Sequence, residues 1–472
     1  MRGPPGTMPD PPQERDARAV VATLRGNGFE AYWAGGCVRD RLLGRTPKDI
    51  DIATDARPDQ ITALFPKTVA IGKAFGVIGV IQDQALYEVA TFRKDAGYSD
   101  GRRPDAVHFT DAREDALRRD FTVNALFYDP LSGEVHDFVD GRADLEARLI
   151  RAVGRPADRF QEDHLRMLRA VRFAAVLDFE LEAATRQAIQ DLADRIRHIS
   201  PERIRDELVR LFTETGQPGR ALQLLQDTGL LAVILPEVAA MDGVEQPPEY
   251  HPEGDVFTHT RLMLDELHRP AAELAFAVLL HDVGKPPTAR FGPGRDGQER
   301  IRFDGHDKVG AEMTEAILGR LRFPNAFIRT VTHCVRNHMR FMHVQEMRRA
   351  KLRAMLAAPT FELELELHRL DCLSSHNDLG HYHFLRHYRE QLQAEPALPP
   401  AWVRGEDLLA LGLPKGPAIG HWLKEAYARQ LDGDATDRQD LLNWLAARTQ
   451  EEPPPQTKQA RPSRDPKAPR NY

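Results

Sequence analysis

The stretch KDIDIATDA sets Asp49 and Asp51 on either side of one isoleucine in an otherwise apolar run. In a strand, residues i and i+2 project to the same side, so the spacing predicts both carboxylates on one face. Like charges held that close repel unless cations neutralise them. A pair of magnesium ions, about 3.5–4 Å apart and bridged by carboxylate and phosphate, is the usual arrangement where a nucleophile attacks phosphorus. Upstream, GGCVRD supplies Gly35 and Gly36, which let backbone approach a triphosphate where a helix begins, and Arg39, which can add charge-assisted hydrogen bonds. Glu88, in the apolar run LYEVATFR, is placed to complete a carboxylate triad. LRRDFTVNALFYD puts Arg118, Arg119, Asp120 and Asn124 within about two helical turns, enough to grip ribose and phosphates. A solvated strand face and a charged helix face are the plain alternatives; together these residues predict metal-dependent nucleotidyl transfer.

EDHLRMLR points to recognition of a base. Read as helical, it makes Asp163 and Arg166 i,i+3 neighbours, with Glu162 alongside. Cytosine and adenine each present an exocyclic amine donor beside a ring-nitrogen acceptor, which a carboxylate and a guanidinium match. Uracil and guanine reverse that pattern. Mispaired buried polar groups support discrimination of about 10⁴–10⁵. The alternative is an ordinary salt bridge, contributing about 0.2–0.5 kcal/mol.

Histidines mark a separate region. LAFAVLLHDVGKPPT reads as an apolar helix ending in His281 and Asp282, with Gly284 and Pro286 as stop signals. The same block holds His259, His306, His338 and Asp371. Imidazole and carboxylate suit magnesium or a transition metal, and ligands drawn from separate helices are how bundles build such sites.

The elements that must carry these residues follow from the patterning. Residues 16–153 mix amphipathic helix with short β-rich runs, a small α/β domain; beyond Asp158 helical periodicity replaces the strand signals, so the fold class is α+β. The expected division is a disordered tail at 1–15, the α/β domain at 16–153, a helical neck at 154–215 and a body with linker at 216–245. A histidine-rich helical domain at 246–388, a helical segment at 389–450 and a Pro-rich disordered tail at 451–472 complete the chain. The linker includes DGVEQPPEYHPEGD, and the polar stretch RKDAGYSDGRRPDAVHF reads as a mobile loop carrying Arg93, Arg102 and Arg103.

With 472 residues, 42% hydrophobic, the chain is long enough for several domains, and no apolar run approaches the roughly 18 residues of a membrane span. The N-terminus lacks an apolar signal segment, and three scattered cysteines fit a reducing compartment and exclude a cysteine zinc site. A cytoplasmic location is expected. A net charge of −7 excludes a uniformly basic nucleic-acid binder, so an RNA partner would need local arginines such as Arg195, Arg197, Arg203, Arg205 and Arg210.

GGCVRD, DIDIATDA, RRDFTVNALFYD, EDHLRMLRAVRF and ERIRDELVRL, in that order, resemble the bacterial-type (class II) CCA-adding tRNA nucleotidyltransferases of the polymerase β superfamily. The resemblance, over about residues 17–235, implies a head, neck and body. It implies that Asp49 and Asp51 bind catalytic Mg2+, that Asp163 and Arg166 select the incoming nucleotide with Arg169 orienting base or phosphate, and that the partners are tRNA, CTP and ATP, with no DNA and no membrane. In that family a loop such as 93–109 repositions the pocket for ATP. Bacterial poly(A) polymerases share the head, but IGKAFGVIGV has Ala74 where their second basic residue stands. The histidine set resembles the HD phosphohydrolase superfamily over about residues 246–388, implying a divalent metal (Ni2+, Mn2+ or Mg2+) and phosphatase or 2′,3′-cyclic phosphodiesterase activity, with Lys285 steadying a phosphate. The readings held against this one are an A-only or CC-only transferase, a poly(A) polymerase, a phosphohydrolase with a regulatory head, and a non-catalytic RNA-binding protein. Monomer and dimer are equally compatible with the sequence.

Overall fold

The computed structural model describes residues 11–72, 75–96, 106–293, 297, 299–392 and 397–451. Ala74, Arg102 and Arg103 lie outside the described residues. The chain divides into two compact units, Met1–Arg336 with Ser374–His376, and Asn337–Leu373 with Asn377–Tyr472.

The first unit opens with a helix, Pro12–Gly26, so residues 12–15 are the first helical turn and not tail. Pro12 stands where its missing N–H matters least, and Ala17, Val20, Val21 and Leu24 recur at helical spacing and are fully buried. Nine strands follow: β1 (Ala31–Ala34), β2 (Asp51–Thr54), β3 (Thr68–Gly72), β4 (Val77–Gln82), β5 (Ala85–Thr91), β6 (Arg93–Ala96), β7 (Ala106–Phe109), β8 (Phe127–Tyr128) and β9 (Val135–His136). Seven form one mixed sheet in the order β3-β4-β5-β2-β1-β8-β9, with β2 and β5 parallel and β1 and β2 antiparallel. Its core joins Ile50, Ile52 and Val89 to the first helix. β6 and β7 pair as a ribbon, so the ends of the expected mobile loop are ordered strand.

Helices Pro156–Glu162, Leu165–Leu177, Ala183–Leu192, Pro201–Glu214 and Pro218–Asp227 continue the unit. Along Pro201–Glu214, Ile204, Leu208, Leu211 and Phe212 face inward, and Glu207 is buried with them because Arg172 donates to it at 2.6 Å. Strands do not vanish after Asp158: Glu180–Leu181 pairs with Leu149–Ile150, and Arg290–Pro293 pairs with Glu299–Arg302 inside the histidine-rich region. These are short pairings that run lengths did not reveal. Helix Ala272–Leu280 is apolar apart from Glu273 in its first turn, and Ala275 to Leu280 are all buried.

The second unit contains helices Arg349–Leu356, Phe361–Ser374, Gly380–Gln391, Gly405–Ala410, Pro417–Asp432 and Arg438–Glu451 around two apolar clusters, one at Phe341, Leu365 and Leu385, the other at Leu408, Trp422 and Leu445. The three cysteines are buried, and none is in a disulfide among the described residues. Among the described residues no helix is long and apolar enough to cross a membrane.

Candidate active site and metal centre

β1 and β2 run antiparallel with Ala34 opposite Asp51, so the chain leaving β1 passes the aspartates as it turns into helix Gly36–Leu42. That turn requires glycine: Gly35 has φ +79°, and a β-carbon there would meet the Arg119 guanidinium at 3.0 Å. Asp49 sits in the bend before β2 and Asp51 is its first residue; with Ile50 buried between them, both line one wall of a cavity of about 1250 Å3. Asp51 touches solvent on the open side, yet protein atoms enclose it elsewhere. Burial, then Glu88, push its carboxyl up to about 6, with Asp49 adding to the rise and Arg119 opposing it. Glu88 follows from strand register, since Val89 of β5 faces Ile52 of β2. The surplus of negative charge fits divalent cations.

Arg118, Arg119, Asp120 and Asn124 do not occupy the two continuous helical turns that their spacing predicts. The helix ends at Leu117, Arg118 caps it, and a single 3-10 turn, Thr122–Asn124, follows. Both arginines donate to buried Asp115, Arg118 Nη2 at 2.7 Å and Arg119 Nη2 at 3.0 Å. Arg119 thereby lies beside Gly35 and Asp51, a more central place than its sequence neighbours suggested. Behind them runs a relay: Arg39 Nη1 donates to Asn124 Oδ1 at 2.6 Å, Asn124 Nδ2 to Asp120 Oδ1 at 3.2 Å, and Arg169 Nη2 to Asp120 Oδ2 at 2.6 Å.

Burial alone would raise the Asp120 carboxyl, but Arg169, Arg166 and the Asn124 amide outweigh it and hold it at about 2. Its folded pKa lies below the unfolded value, so the stabilisation is present above pH ~3.8 and is lost as pH falls toward 2. Asp120→Asn should therefore destabilise the protein by about 2 kcal/mol at neutral pH, with the difference vanishing near pH 2. Urea titrations of both proteins at several pH values measure it.

Asp163 and Arg166 line the same cavity, but not as partners on one helix. The chain breaks at Asp163 (φ −145°, ψ 106°), where the carboxylate accepts from Leu165 N–H at 3.0 Å and starts a new helix. Its other oxygen accepts from Arg203 at 2.7 Å, whereas Arg166 donates to Glu162 at 2.6 Å. Arg203 is thus part of the site and not merely surface charge; Arg205, Arg210 and Arg197 are engaged with Asp206, Glu214 and Asp194.

In the histidine-rich region, His259 lies in helix Val256–Asp265, His281 caps helix Ala272–Leu280, and His306 begins helix His306–Arg320. Gly284 permits the approach: a β-carbon there would fall 2.2 Å from the His306 carbonyl oxygen. His281 Nε2 is 3.0 Å and His306 Nε2 3.5 Å from the buried Asp282 carboxylate. Burial would raise Asp282, but His281, Lys285 and His306 hold it well below the usual carboxylate range. Lys285 is buried, bonded to Asp282 and Gln246 at 2.6 Å each, a structural cation more than a ready phosphate contact. The supposed linker enters the site, for Glu253 accepts from His251 and His259 at 2.9 and 2.6 Å. A histidine two residues before an acid in HPEGD, with His259 in the capped helix that follows, was the sequence signal for this. His251, Glu253 and His259 cluster beside these residues, and nitrogen and carboxylate donors gathered around Asp282 fit a divalent ion. His338, buried at the start of the 3-10 segment His338–Glu346, and Asp371, on helix Phe361–Ser374, belong to the second unit.

Three family models match in succession: "Poly A polymerase head domain" over residues 31–151, "Probable RNA and SrmB- binding site of polymerase A" over 178–241 and "HD domain" over 254–373. The CCA-adding enzyme of Lactobacillus johnsonii is 48% identical over 215 residues, 45% of this chain and 54% of that protein. That of Bacillus pumilus is 49% identical over 212 residues, 45% of this chain and 52% of that protein. The chain thus spans about half the length of the curated relatives it matches. The solved structure of Bacillus stearothermophilus CCA-adding enzyme in complex with CTP superimposes with a TM-score of 0.69 and 28% identity, covering 93% of this chain and 98% of that one. The chain accordingly carries, in this order, a poly(A) polymerase head domain, a polymerase RNA-binding segment and an HD domain, and is similar over 45% of its length to bacterial CCA-adding enzymes.

Proposed function

We propose that this chain adds C, C and A to the 3′ end of tRNA from CTP and ATP without a nucleic-acid template, and hydrolyses phosphate esters, 2′,3′-cyclic phosphates among them, at its HD centre. The supporting observation is a single cavity with a carboxylate pair on one wall and the Asp163 and Arg166 side chains on another. Magnesium held by Asp49 and Asp51 would neutralise the triphosphate and polarise the reacting oxygens. Gly35, Gly36 and Arg39 shape the cavity beside the aspartates, and the Asp120 relay fixes Arg39 and Arg169 in place.

In this reading Asp163 and Arg166 read the Watson–Crick edge, each steadied by a separate partner, Arg203 and Glu162. The Asp163 carboxylate, bonded to one arginine, keeps lone pairs to accept from the amine of cytosine or adenine; Arg166, bonded to Glu162 and to the Arg159 and Arg118 carbonyls, keeps further N–H groups for the ring nitrogen. Arg166→Ala is expected to lower the preference for CTP over UTP by roughly 10- to 100-fold, the consequence of about 1–3 kcal/mol for a mispaired buried polar group. Competition between the two triphosphates for tRNA lacking its 3′ end checks it. The overall reading is tested on the same substrate with the four nucleoside triphosphates offered singly and together. Growth by C, C and A that then stops supports it, and an unlimited A tail would overturn it in favour of a poly(A) polymerase.

The HD centre favours a divalent ion with imidazole ligands, Ni2+ or Mn2+ before Mg2+, because His259, His281 and His306 converge with Asp282 as its carboxylate. Such an ion would supply Lewis acidity at phosphorus.

A further inference from the structure

Two histidines beside Asp282, His281 and His306, have Nδ1 occupied by an acceptor. His281 Nδ1 lies 2.8 Å from the Val278 carbonyl and His306 Nδ1 lies 2.8 Å from the Phe303 carbonyl. A carbonyl only accepts, so both rings carry their proton on Nδ1 and turn Nε2 toward Asp282. His259 is arranged differently: its Nδ1 meets the Glu253 carboxylate at 2.6 Å, the same oxygen that His251 Nδ1 reaches at 2.9 Å.

The spacing argues against Glu253 as a fellow ligand of these two rings. Donors on one ion, with bonds of about 2.1 Å at octahedral or tetrahedral angles, stand about 3.0–3.4 Å apart. At 2.6 Å the pair is a charge-assisted hydrogen bond. Glu253 therefore does for His259 what main-chain carbonyls do for His281 and His306: it fixes the tautomer that leaves Nε2 for the metal. An ionised carboxylate also makes the imidazole a better electron donor, which a carbonyl does less strongly. His251, on the same oxygen, acquires the same tautomer, and its ring centroid lies 4.9 Å from that of His259.

We propose that Glu253 is a positioning residue of the HD metal centre, holding His259 in its ligating tautomer. The proposal rests on the metal-centre reading above. Its test uses the full chain stripped of metal and titrated calorimetrically with Ni2+, an ion that imidazole sites favour over the all-carboxylate site of the head. Glu253→Ala is expected to weaken Ni2+ binding about 100-fold, and Glu253→Gln, which keeps an acceptor oxygen and loses only the charge, about tenfold. Nucleotidyl transfer by the same preparations reports folding and should be unchanged. Wild-type Ni2+ affinity in Glu253→Ala with transfer intact overturns the proposal. Should Glu253→Ala also lose transfer, Glu253→Gln decides, and wild-type affinity there overturns it equally. If the wild-type chain binds Ni2+ no better than His281→Ala does, the metal-centre reading falls first and takes the Glu253 assignment with it.

Discussion

Asp51→Ala is expected to bring nucleotide incorporation to the limit of detection, at least about 10³-fold down, since each 1.36 kcal/mol is a factor of ten and a bound metal supplies several. The side chain stands at the start of β2, in register with Ala34 before the glycine turn and with Glu88 near it, where three carboxylates face a single guanidinium already committed to Asp115. Removing one carboxylate lowers the repulsion in the apo protein, so thermal stability should hold or rise while catalysis disappears. Asp51→Asn separates charge from shape: it keeps the volume and one acceptor oxygen, and an equal loss of activity marks the ionised carboxylate as the necessary feature. Primer-extension gels with truncated tRNA and radiolabelled CTP measure the loss. Hydrolysis of a 2′,3′-cyclic phosphate should be unaffected.

His281→Ala should give the reverse result: phosphohydrolysis at least about 10³-fold down and transfer within twofold of the wild type. His281 is almost fully buried, with Nδ1 fixed by the Val278 carbonyl and Nε2 3.0 Å from Asp282. Its loss removes one nitrogen donor and leaves Asp282 to Lys285 and His306. Some destabilisation is expected, roughly 1–3 kcal/mol for disturbing a buried polar pair, so the melting temperature must be read beside the activities. Should either substitution eliminate both reactions in a folded protein, a single shared site would replace the two-site reading.

Motifs whose chemistry is local were legible in the sequence. Asp49 and Asp51 keep one side of the chain because Ile50 between them is apolar and buried. Gly35 announces a turn because only glycine adopts its φ without strain, and His281 with Asp282 ends an apolar helix that had to be buried. The errors have an equally physical origin. Asp163 in an apparently continuous helical pattern was read as a helix residue, but its short carboxylate captures the Leu165 N–H and breaks the helix. DGVEQPPEYHPEGD reads as linker because proline and glutamate are frequent in it, although Glu253 within it bonds His251 and His259 beside the metal centre.

The sequence by itself determined which functional groups exist and how they alternate along strands and helices: the paired aspartates, the glycine turn, the histidine and aspartate at a helix end, and an α+β chain with its α/β part first. Such features depend on residue type and on neighbours a few positions away, where backbone stereochemistry governs. Pairing of charges was decided by tertiary structure alone. Asp163 accepts from Arg203 and Asp120 from Arg169 across separations of 40 and 49 residues, and Arg166 turns to Glu162. A guanidinium is attracted to every carboxylate in the chain, and only the packing of the apolar helix faces beneath them brings one of those carboxylates within bonding distance.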